Sequence, residues 1–242
     1  MTHSLKALIE TQLRQSRKDP PRFRVSQSGD ECVRRMYYQA TGAPREEDSV
    51  EGLAKMGLGT AMDEWVLRAG DGVRIQVPVT INAGGFTLTG KSDVVFGDPA
   101  ELVSDLKCVG VGSKKLLQAL SGEYVNRRWL GGTWAQTEHG PTEKHAAQVN
   151  MYAYGLGAPR WSVCYVNVDT GEIREHFGDT DEYKAEEDLG SFEEGNYHRI
   201  IGRPPPRPFT DIEEENGTIK IARKRFPCGW CAFNKTCWEV DQ

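Results

Sequence analysis

The sequence has no apolar run that approaches the ~18 residues needed to cross a bilayer. Its N-terminal segment also lacks the continuous apolar core of an export signal, because Lys6, Glu10 and Arg14 separate the leucines there. We therefore expect no membrane association and a cytoplasmic location. In that reducing compartment, clustered cysteines bind metal more often than they form disulfides.

The chain has no excess of basic residues, since 30 Lys and Arg stand against 35 Asp and Glu, for a net charge of −5. This balance argues against a protein coated in basic surface for DNA, but it permits a basic groove beside acidic metal ligands. No internal repeat and no helicase motif set is present. At 242 residues, the chain is long enough for one large domain or two small ones.

Cysteine is scarce, yet four of the six cysteines lie at the two ends of the chain. Cys32 is near the start, and Cys228, Cys231 and Cys237 form a C-x2-C-x5-C cluster near the end. Four thiolates that converge on one point can hold either a tetrahedral zinc ion or an iron–sulfur cluster. Such a site would close a loop of most of the chain, which costs on the order of 5 kcal/mol of chain entropy.

The order of the predicted elements is that of an α/β protein. Ser26 is expected to cap a helix that carries Cys32, and the segment around Gly131 and Gly132 is expected to be a loop. The remaining elements are expected at about 52–69 (helix), 73–81, 86–96 and 101–109 (three strands), 143–156 (helix), 161–168 and 172–177 (hairpin) and 180–201 (helix).

Two of these strands carry acidic residues. Asp105 and Lys107 are two positions apart on one strand, so they point to the same face. Folding the chain about Pro99 makes paired residue numbers sum to about 198, which puts Asp93 opposite Asp105. Carboxylates in so apolar a context need a partner, and their oxygens suit Mg²⁺ or Mn²⁺. A metal there would activate water, with Lys107 orienting or deprotonating it; an Asp–Lys salt bridge on an exposed strand is the simpler alternative.

The helix expected at 143–156 carries a polar stripe. His145, Gln148 and Tyr152 lie three and four positions apart, so all three fall on one side of the helix. A polar stripe on a helix that is otherwise lined by apolar residues needs a partner. The alternative is a surface face that ends in a core tyrosine.

These motifs resemble those of PD-(D/E)XK nucleases of the RecB type. The order G-x-x-D, D-x-K and Q-x-x-x-Y is the order of that family, and it begins here at Gly90. With the one-plus-three cysteines, the chain resembles the iron–sulfur branch: AddB-type nuclease domains, the Fe–S nuclease of CRISPR adaptation and phage exonucleases. The resemblance extends from Cys32 to Cys237.

The resemblance implies a restriction-endonuclease-like α/β core, in which helices flank a mixed central sheet. One nuclease domain would span 1–242, with the catalytic core at about 50–202 and cluster-bearing segments at about 22–45 and 205–242. A [4Fe–4S] cluster on the four cysteines would join the N- and C-terminal segments, with Zn²⁺ as the alternative. The catalytic set implied by the resemblance comprises the metal ligands Asp93 and Asp105, the catalytic Lys107, and Gln148 and Tyr152.

One position departs from the family pattern. Such nucleases often carry a histidine ligand in G-T-A-L-H-E, whereas this chain has G-T-A-M-D-E, with Asp63 at the histidine position. Aspartate is a suitable ligand for Mg²⁺ or Mn²⁺. A weakened activity, or a solvated helix residue with no role, is the alternative at this position.

The implied function is that of a metal-dependent DNA nuclease, an exonuclease on single-stranded DNA or DNA ends. Its implied partners are DNA and a recombination, repair or CRISPR-adaptation protein. Candidate DNA contacts are Lys91 and the pair Arg127 and Arg128, whose neighbours Trp129 and Trp134 suit base stacking, although core packing of the tryptophans is equally compatible.

Two other functions stay open. The first is a non-catalytic DNA-binding or adaptor protein that keeps the nuclease fold. The second is a P-loop ATPase, because Gly85–Ser92 fits the pattern G-x4-G-K-S. That motif requires a loop followed by a helix, but this stretch alternates like a strand, so we interpret the match as coincidence.

Overall fold

The computed structural model describes residues 11, 20–30, 32–66, 73–109, 125–130, 133–139, 141–208, 212–215, 218–221 and 228–239. The chain divides into two compact units. The terminal unit comprises Met1–Phe23, Glu31–Leu58 and Ser191–Gln242, and the sheet unit comprises Arg24–Asp30 and Gly59–Gly190. The four end cysteines belong to the terminal unit. The sheet unit contains Asp63, Asp93, Asp105, Lys107, Gln148 and Tyr152.

The described strands form one large sheet and two hairpins. In chain order they are β1 (Phe23–Arg24), β2 (Val73–Ala83), β3 (Phe86–Phe96), β4 (Leu102–Val109), β5 (Val125–Leu130), β6 (Thr133–His139), β7 (Arg160–Asn167), β8 (Ile173–Asp179), β9 (Ile212–Glu215) and β10 (Thr218–Ile221). Neighbours in the large sheet follow the order β1-β3-β4-β7-β8, and β2 also pairs with β3. Because β4 and β7 are parallel while β2–β3, β3–β4 and β7–β8 are antiparallel, the sheet is mixed.

The described helices are α1 (Val33–Thr41), α2 (Val50–Val66), α3 (Glu143–Leu156), α4 (Glu182–Ile201) and α5 (Asn234–Glu239). Single turns of 3-10 helix lie at Val25–Gln27 and Cys228–Trp230. None of the helices in the described part of the chain combines the length and apolar character that crossing a bilayer requires.

Helix α3 packs on the large sheet against β2, β3, β4 and β7. It begins where Thr142 Oγ1 accepts a hydrogen bond from the His145 amide, and it ends at Gly157, whose φ of 66° is left-handed. Both are standard signals for helix ends, which explains why the sequence predicts this helix well. The residues that α3 buries most completely are Val149, Met151 and Ala153.

The sequence predictions for the strands 73–81, 86–96 and 101–109, the hairpin strands and the charged helix are confirmed to within a few residues. The expectation that Ser26 caps the Cys32 helix is wrong. Ser26 lies in the 3-10 turn, and Gly29, with a left-handed φ of 67°, separates that turn from the helix. Helix α1 begins later, with Cys32 as its N-cap. Strands β5 and β6 border the expected loop at Gly131 and Gly132, which lies outside the described residues.

The segment Gly85–Ser92 forms a turn followed by strand β3, which continues to Phe96. A phosphate loop needs a helix directly after the loop, so that the helix N-terminus can hold the phosphates. No helix begins in this segment, so the geometry of a P-loop ATPase is not present there.

Gly155 allows α3 to lie close to β2. A Cβ atom added at Gly155 would lie 2.7 Å from Val79 Cγ1 and 2.8 Å from Ile81 Cγ1. We expect Gly155→Ala to lower the free energy of unfolding by about 1–3 kcal/mol in urea, because the buried strand cannot move away without strain. The matched control is Gly190→Ala in α4, where an added Cβ meets nothing within 4 Å; it should raise stability by up to about 1 kcal/mol. Equal effects of the two substitutions would contradict this account.

Candidate active site

The pairing of β3 and β4 sets the relative position of the two predicted acidic residues. Val94 pairs with Ser104, and Phe96 pairs with Leu102. These numbers sum to 198, the register that the sequence predicts, and continuing it by one residue brings Asp93 opposite Asp105. Because paired residues of antiparallel strands project from the same face, both carboxylates lie on one side of the sheet.

Asp93 is oriented by the backbone of the next strand. Its Oδ2 accepts a hydrogen bond from the Leu106 amide at 2.9 Å. Its Oδ1 accepts a longer one, of 3.4 Å, from Nε2 of Gln76, a residue of β2 with a positive φ of 50°. The carboxylate is therefore held across the β3–β4 junction, next to Asp105.

Asp105, Lys107 and Gln148 form a connected polar cluster. Lys107 Nζ lies 2.5 Å from Asp105 Oδ2. Gln148, on α3, donates from Nε2 to Asp105 Oδ1 at 3.2 Å and accepts at Oε1 from Lys107 Nζ at 3.5 Å. The amide thus presents its donor to the carboxylate and its acceptor to the ammonium group, which is the only orientation that serves both.

The charge in this cluster is unbalanced. Asp105 is 2% exposed, and burial raises the pKa of its carboxyl to about 7; Lys107 opposes the rise, while Asp93 adds to it. Asp105 Oδ2 also accepts no hydrogen bond of good geometry from the described residues, although it forms the ion pair with Lys107. Two neighbouring carboxylates therefore have one ammonium group between them, an arrangement that favours uptake of a proton or a cation.

Tyr152 lies one helical turn beyond Gln148 and is buried. Burial raises its pKa above the ordinary value, and Asp105 and Asp93 add to the rise, while hydrogen bonds from Gln148 and the Lys91 backbone oppose it. The phenol is therefore neutral across the physiological pH range. Gly90 makes room for it, because an added Cβ would lie 2.7 Å from Tyr152 Cε1. A larger residue at the glycine position of the G-x-x-D motif would therefore clash with Tyr152.

Two further residues that the sequence analysis assigned no role adjoin the cluster. Tyr165, on β7, is the parallel register partner of Lys107 and is fully buried. Its hydroxyl accepts a hydrogen bond from the Thr142 amide at 3.2 Å and lies 2.8 Å from His145 Nδ1. Burial lowers the pKa of His145 to about 3, with Lys107 and Lys144 contributing, so the imidazole is neutral.

The remaining candidate residues are less fully described. Asp63 lies on α2, but its side chain lies outside the described part of the chain, as do those of Arg127 and Arg128 on β5. Lys91 is exposed on β3. The structure brings together Asp93, Asp105, Lys107, Gln148 and Tyr152. Their catalytic and metal-binding roles stay predictions, as do the roles of Asp63, Lys91, Arg127 and Arg128.

The four end cysteines lie in two segments of the terminal unit. Cys32 is the N-cap of α1, but its side chain does not cap the helix. The Cys231 amide donates to the Cys228 carbonyl at 3.0 Å, and Cys237 lies on α5. Burial raises the pKa of the Cys228 thiol, as do Cys237 and Cys231, while Arg207 opposes the rise. No disulfide joins any of the six cysteines.

Within the described residues, no group of three or more His, Cys, Asp or Glu side chains is close enough to hold a metal ion as the chain stands. The segments that carry the cysteines are nevertheless joined by direct contacts. These are Tyr38 against Phe233 (ring centroids 5.7 Å apart), Glu46 N to Ala232 O (2.7 Å), Thr236 Oγ1 to Pro44 O (2.5 Å) and Arg34 Nη1 to Pro205 O (2.8 Å). These contacts join the two cysteine-bearing segments directly, and the metal cluster expected to join them stays a prediction.

Comparison with known proteins identifies the fold. The crystal structure of SSO0001 matches with a TM-score of 0.53 at 15% sequence identity, over 98% of each chain. An alkaline exonuclease from Laribacter hongkongensis matches with a TM-score of 0.51 at 10% identity, over 79% of this chain and 93% of that one. The chain shares its fold with an exonuclease. The same enzyme has been crystallised with dAMP, and that structure matches over 81% of this chain. No protein-family model and no curated protein sequence matches.

The buried Asp105 carboxyl gives a prediction for the metal-free protein. Its pKa is about 7 rather than the ordinary 3.8, so its stabilising contribution is fully present below about pH 3.8 and is lost as the pH rises through 7. Asp105→Asn has no such group. We expect the unfolding free energy of the wild type, relative to Asp105→Asn, to fall between about pH 4 and pH 7 in urea unfolding with a chelator. A relative stability that increases over that range would contradict the assignment.

Proposed function

We propose that this chain is a metal-dependent DNA nuclease that hydrolyses phosphodiester bonds. The observation that carries the proposal is the cluster in the sheet unit, where Asp105 lies beside Asp93, is ion-paired with Lys107 and is hydrogen-bonded to Gln148. The fold shared with an alkaline exonuclease supports it. That neighbour has been crystallised with a mononucleotide, which favours exonuclease action on single-stranded DNA or DNA ends.

Asp93 and Asp105 are the residues that would hold Mg²⁺ or Mn²⁺, with Asp63 as a third ligand. Their oxygen atoms are the hard donors that these ions prefer. The raised pKa of Asp105 and the presence of two carboxylates beside one ammonium group fit a site that gains from a cation. A bound ion would supply an activated water and would stabilise negative charge on the phosphate.

The other residues of the cluster act on the attacking water and on the carboxylates. Lys107 orients the water, or accepts its proton once the ammonium group has given up its own proton. The water oxygen then attacks phosphorus as the bond to the leaving sugar oxygen breaks, and that sugar oxygen takes up a proton. Gln148 keeps the Lys107 ammonium group and the Asp105 carboxylate in fixed relation through its two hydrogen bonds. Tyr152, neutral and buried, supports Gln148 from the next helical turn.

Replacing Lys107 tests the nuclease proposal. We expect Lys107→Met to reduce cleavage of end-labelled DNA in Mn²⁺ by on the order of 10²–10⁴-fold, because a group that moves a proton in the transition state is lost. The matched control is Lys184→Met, which removes an exposed lysine on α4 that pairs with Glu187 and should leave cleavage unchanged. Circular single-stranded DNA in the same assay distinguishes exonuclease from endonuclease action.

Cleavage that survives in Lys107→Met would sink the proposed role of the cluster. DNA binding by the wild type without cleavage in either Mg²⁺ or Mn²⁺ would instead support a non-catalytic DNA-binding or adaptor protein with this fold.

We also propose that Cys32, Cys228, Cys231 and Cys237 hold a [4Fe–4S] cluster, with Zn²⁺ as the alternative. Thiolates are the donors that both cofactors require. The effect of Cys231 and Cys237 on the Cys228 pKa supports a common site for the three C-terminal thiols. The cluster would be structural, because the cysteines and the acidic cluster belong to different units.

Metal analysis of anaerobically purified protein tests this second proposal. We expect about four iron and four labile sulfide per chain, given cluster stoichiometry, or about one zinc in the alternative case. Cys231→Ser should lose most of that metal, because one of four ligands is gone. Cys164→Ser, a cysteine of β7 in the sheet unit, is the matched control and should keep it. Equal metal content in the two variants would contradict the assignment.

A further inference from the structure

His145 occupies the exposed end of the polar stripe on α3. Gln148, one turn further along the helix, is buried and hydrogen-bonds Asp105, whereas His145 is only partly buried. His145 is attached to the sheet through Tyr165, which stands next to Lys107 in the parallel β4–β7 register. The imidazole therefore lies beside the proposed catalytic lysine, at the border between the buried cluster and solvent.

The hydrogen bonds around Tyr165 leave one ring nitrogen of His145 for a ligand. The Thr142 amide donates to the Tyr165 hydroxyl at 3.2 Å, so that hydroxyl uses one lone pair as an acceptor. Its proton can then be donated to His145 Nδ1, 2.8 Å away. In that arrangement the ring proton is on Nε2, and the imidazole is a neutral hydrogen-bond donor with a fixed orientation.

Two ammonium groups act on the ring. Burial is the main cause that lowers the pKa of His145, and Lys107 and Lys144 add to it. Lys107 is ion-paired with Asp105, and Lys144 is ion-paired with Asp30. A neutral N–H group can donate to a phosphate oxygen, and the charge of a phosphate bound there would be attracted by the two ammonium groups.

We infer that His145 is a DNA-binding residue of the proposed nuclease: its Nε2–H donates to a backbone phosphate oxygen beside the scissile bond, and Tyr165 fixes the ring. The inference rests on the proposed function, since it takes DNA as the ligand. It assigns Tyr165 a positioning role, because its hydroxyl acts through His145. It also gives a reason for a histidine on a stripe whose other members, Gln148 and Tyr152, face the buried carboxylates.

Two substitutions separate this role from a purely structural one. In His145→Asn the amide can replace Nδ1 and keep the contact with Tyr165, but nothing replaces Nε2. In His145→Gln the longer amide can present an N–H near the position of Nε2. Binding of fluorescently labelled single-stranded DNA is measured with a chelator, so that no cleavage occurs, and the urea unfolding midpoint of each variant is recorded alongside.

We expect His145→Asn to weaken DNA binding by about 10- to 100-fold, the loss of one hydrogen bond to a charged group, with little change in the unfolding midpoint. His145→Gln should bind close to the wild type, and Tyr165→Phe should lie between the two. The matched control is His198→Gln, which replaces a histidine of α4 in the terminal unit whose Nδ1 lies 3.0 Å from the Arg203 carbonyl; its DNA affinity should be unchanged.

Equal affinities for all variants, or a loss confined to His145→Gln, would overturn the inference. The binding comparison does not depend on cleavage. If the wild type binds DNA but does not cut it in Mn²⁺, the proposed nuclease activity fails, whereas the ranking of the His145 variants still decides the role of His145.

Discussion

The candidate site depends on the buried carboxylate of Asp105. It is almost completely removed from solvent, and the neighbouring Asp93 places a second negative charge beside it. Lys107 supplies one positive charge, so the pair of carboxylates is left with an excess. In a medium of low polarity such an excess is costly unless a proton or a cation offsets it. Burial raises the pKa of Asp105 and Asp93 adds to the rise, and a bound divalent ion would relieve both effects.

The surrounding residues hold the Asp105 carboxylate in place without removing the excess negative charge. Gly90 leaves space on β3 for Tyr152, and α3 carries both Tyr152 and Gln148 to the sheet. Gln148 then connects Asp105 with Lys107. The consecutive strands β3 and β4 and the later helix α3 thus determine one short hydrogen-bond network. A site of this kind is rigid, which is a requirement for positioning a water and a phosphate.

The sequence predicts the parts of the site that depend on local pattern. The turn at Pro99 determines the β3–β4 register, and the Thr142 cap and Gly157 determine the ends of α3. Tyr165 could not be found in this way, because β5, β6 and α3 lie between β4 and β7 in the chain and a parallel register leaves no local signal. The sequence places His145 on the polar stripe of α3. The role proposed for it depends on Tyr165, which the sequence did not identify.

The structure of the terminal unit is less well predicted by the sequence than that of the sheet unit. Gly29 has a left-handed φ and lies shortly before Cys32, the N-cap of α1. The sequence pattern around Ser26 predicted a continuous helix and gave no sign of this conformation. The contacts between the cysteine-bearing segments combine a ring pair with hydrogen bonds to backbone carbonyls, and such contacts carry no spacing signal in the sequence. The cysteine motif identified the segments but not the direct contacts between them, and the metal cluster that it predicts stays a proposal.

The most direct test of the central claim, that the Asp93–Asp105 pair is a divalent-metal site, is isothermal titration of the protein with Mn²⁺. The wild type should bind Mn²⁺ and release protons on binding at pH 6, because Asp105 is largely protonated below its pKa of about 7. Asp105→Asn should lose both the binding and the proton release. Equal Mn²⁺ affinities for the two proteins would contradict the claim.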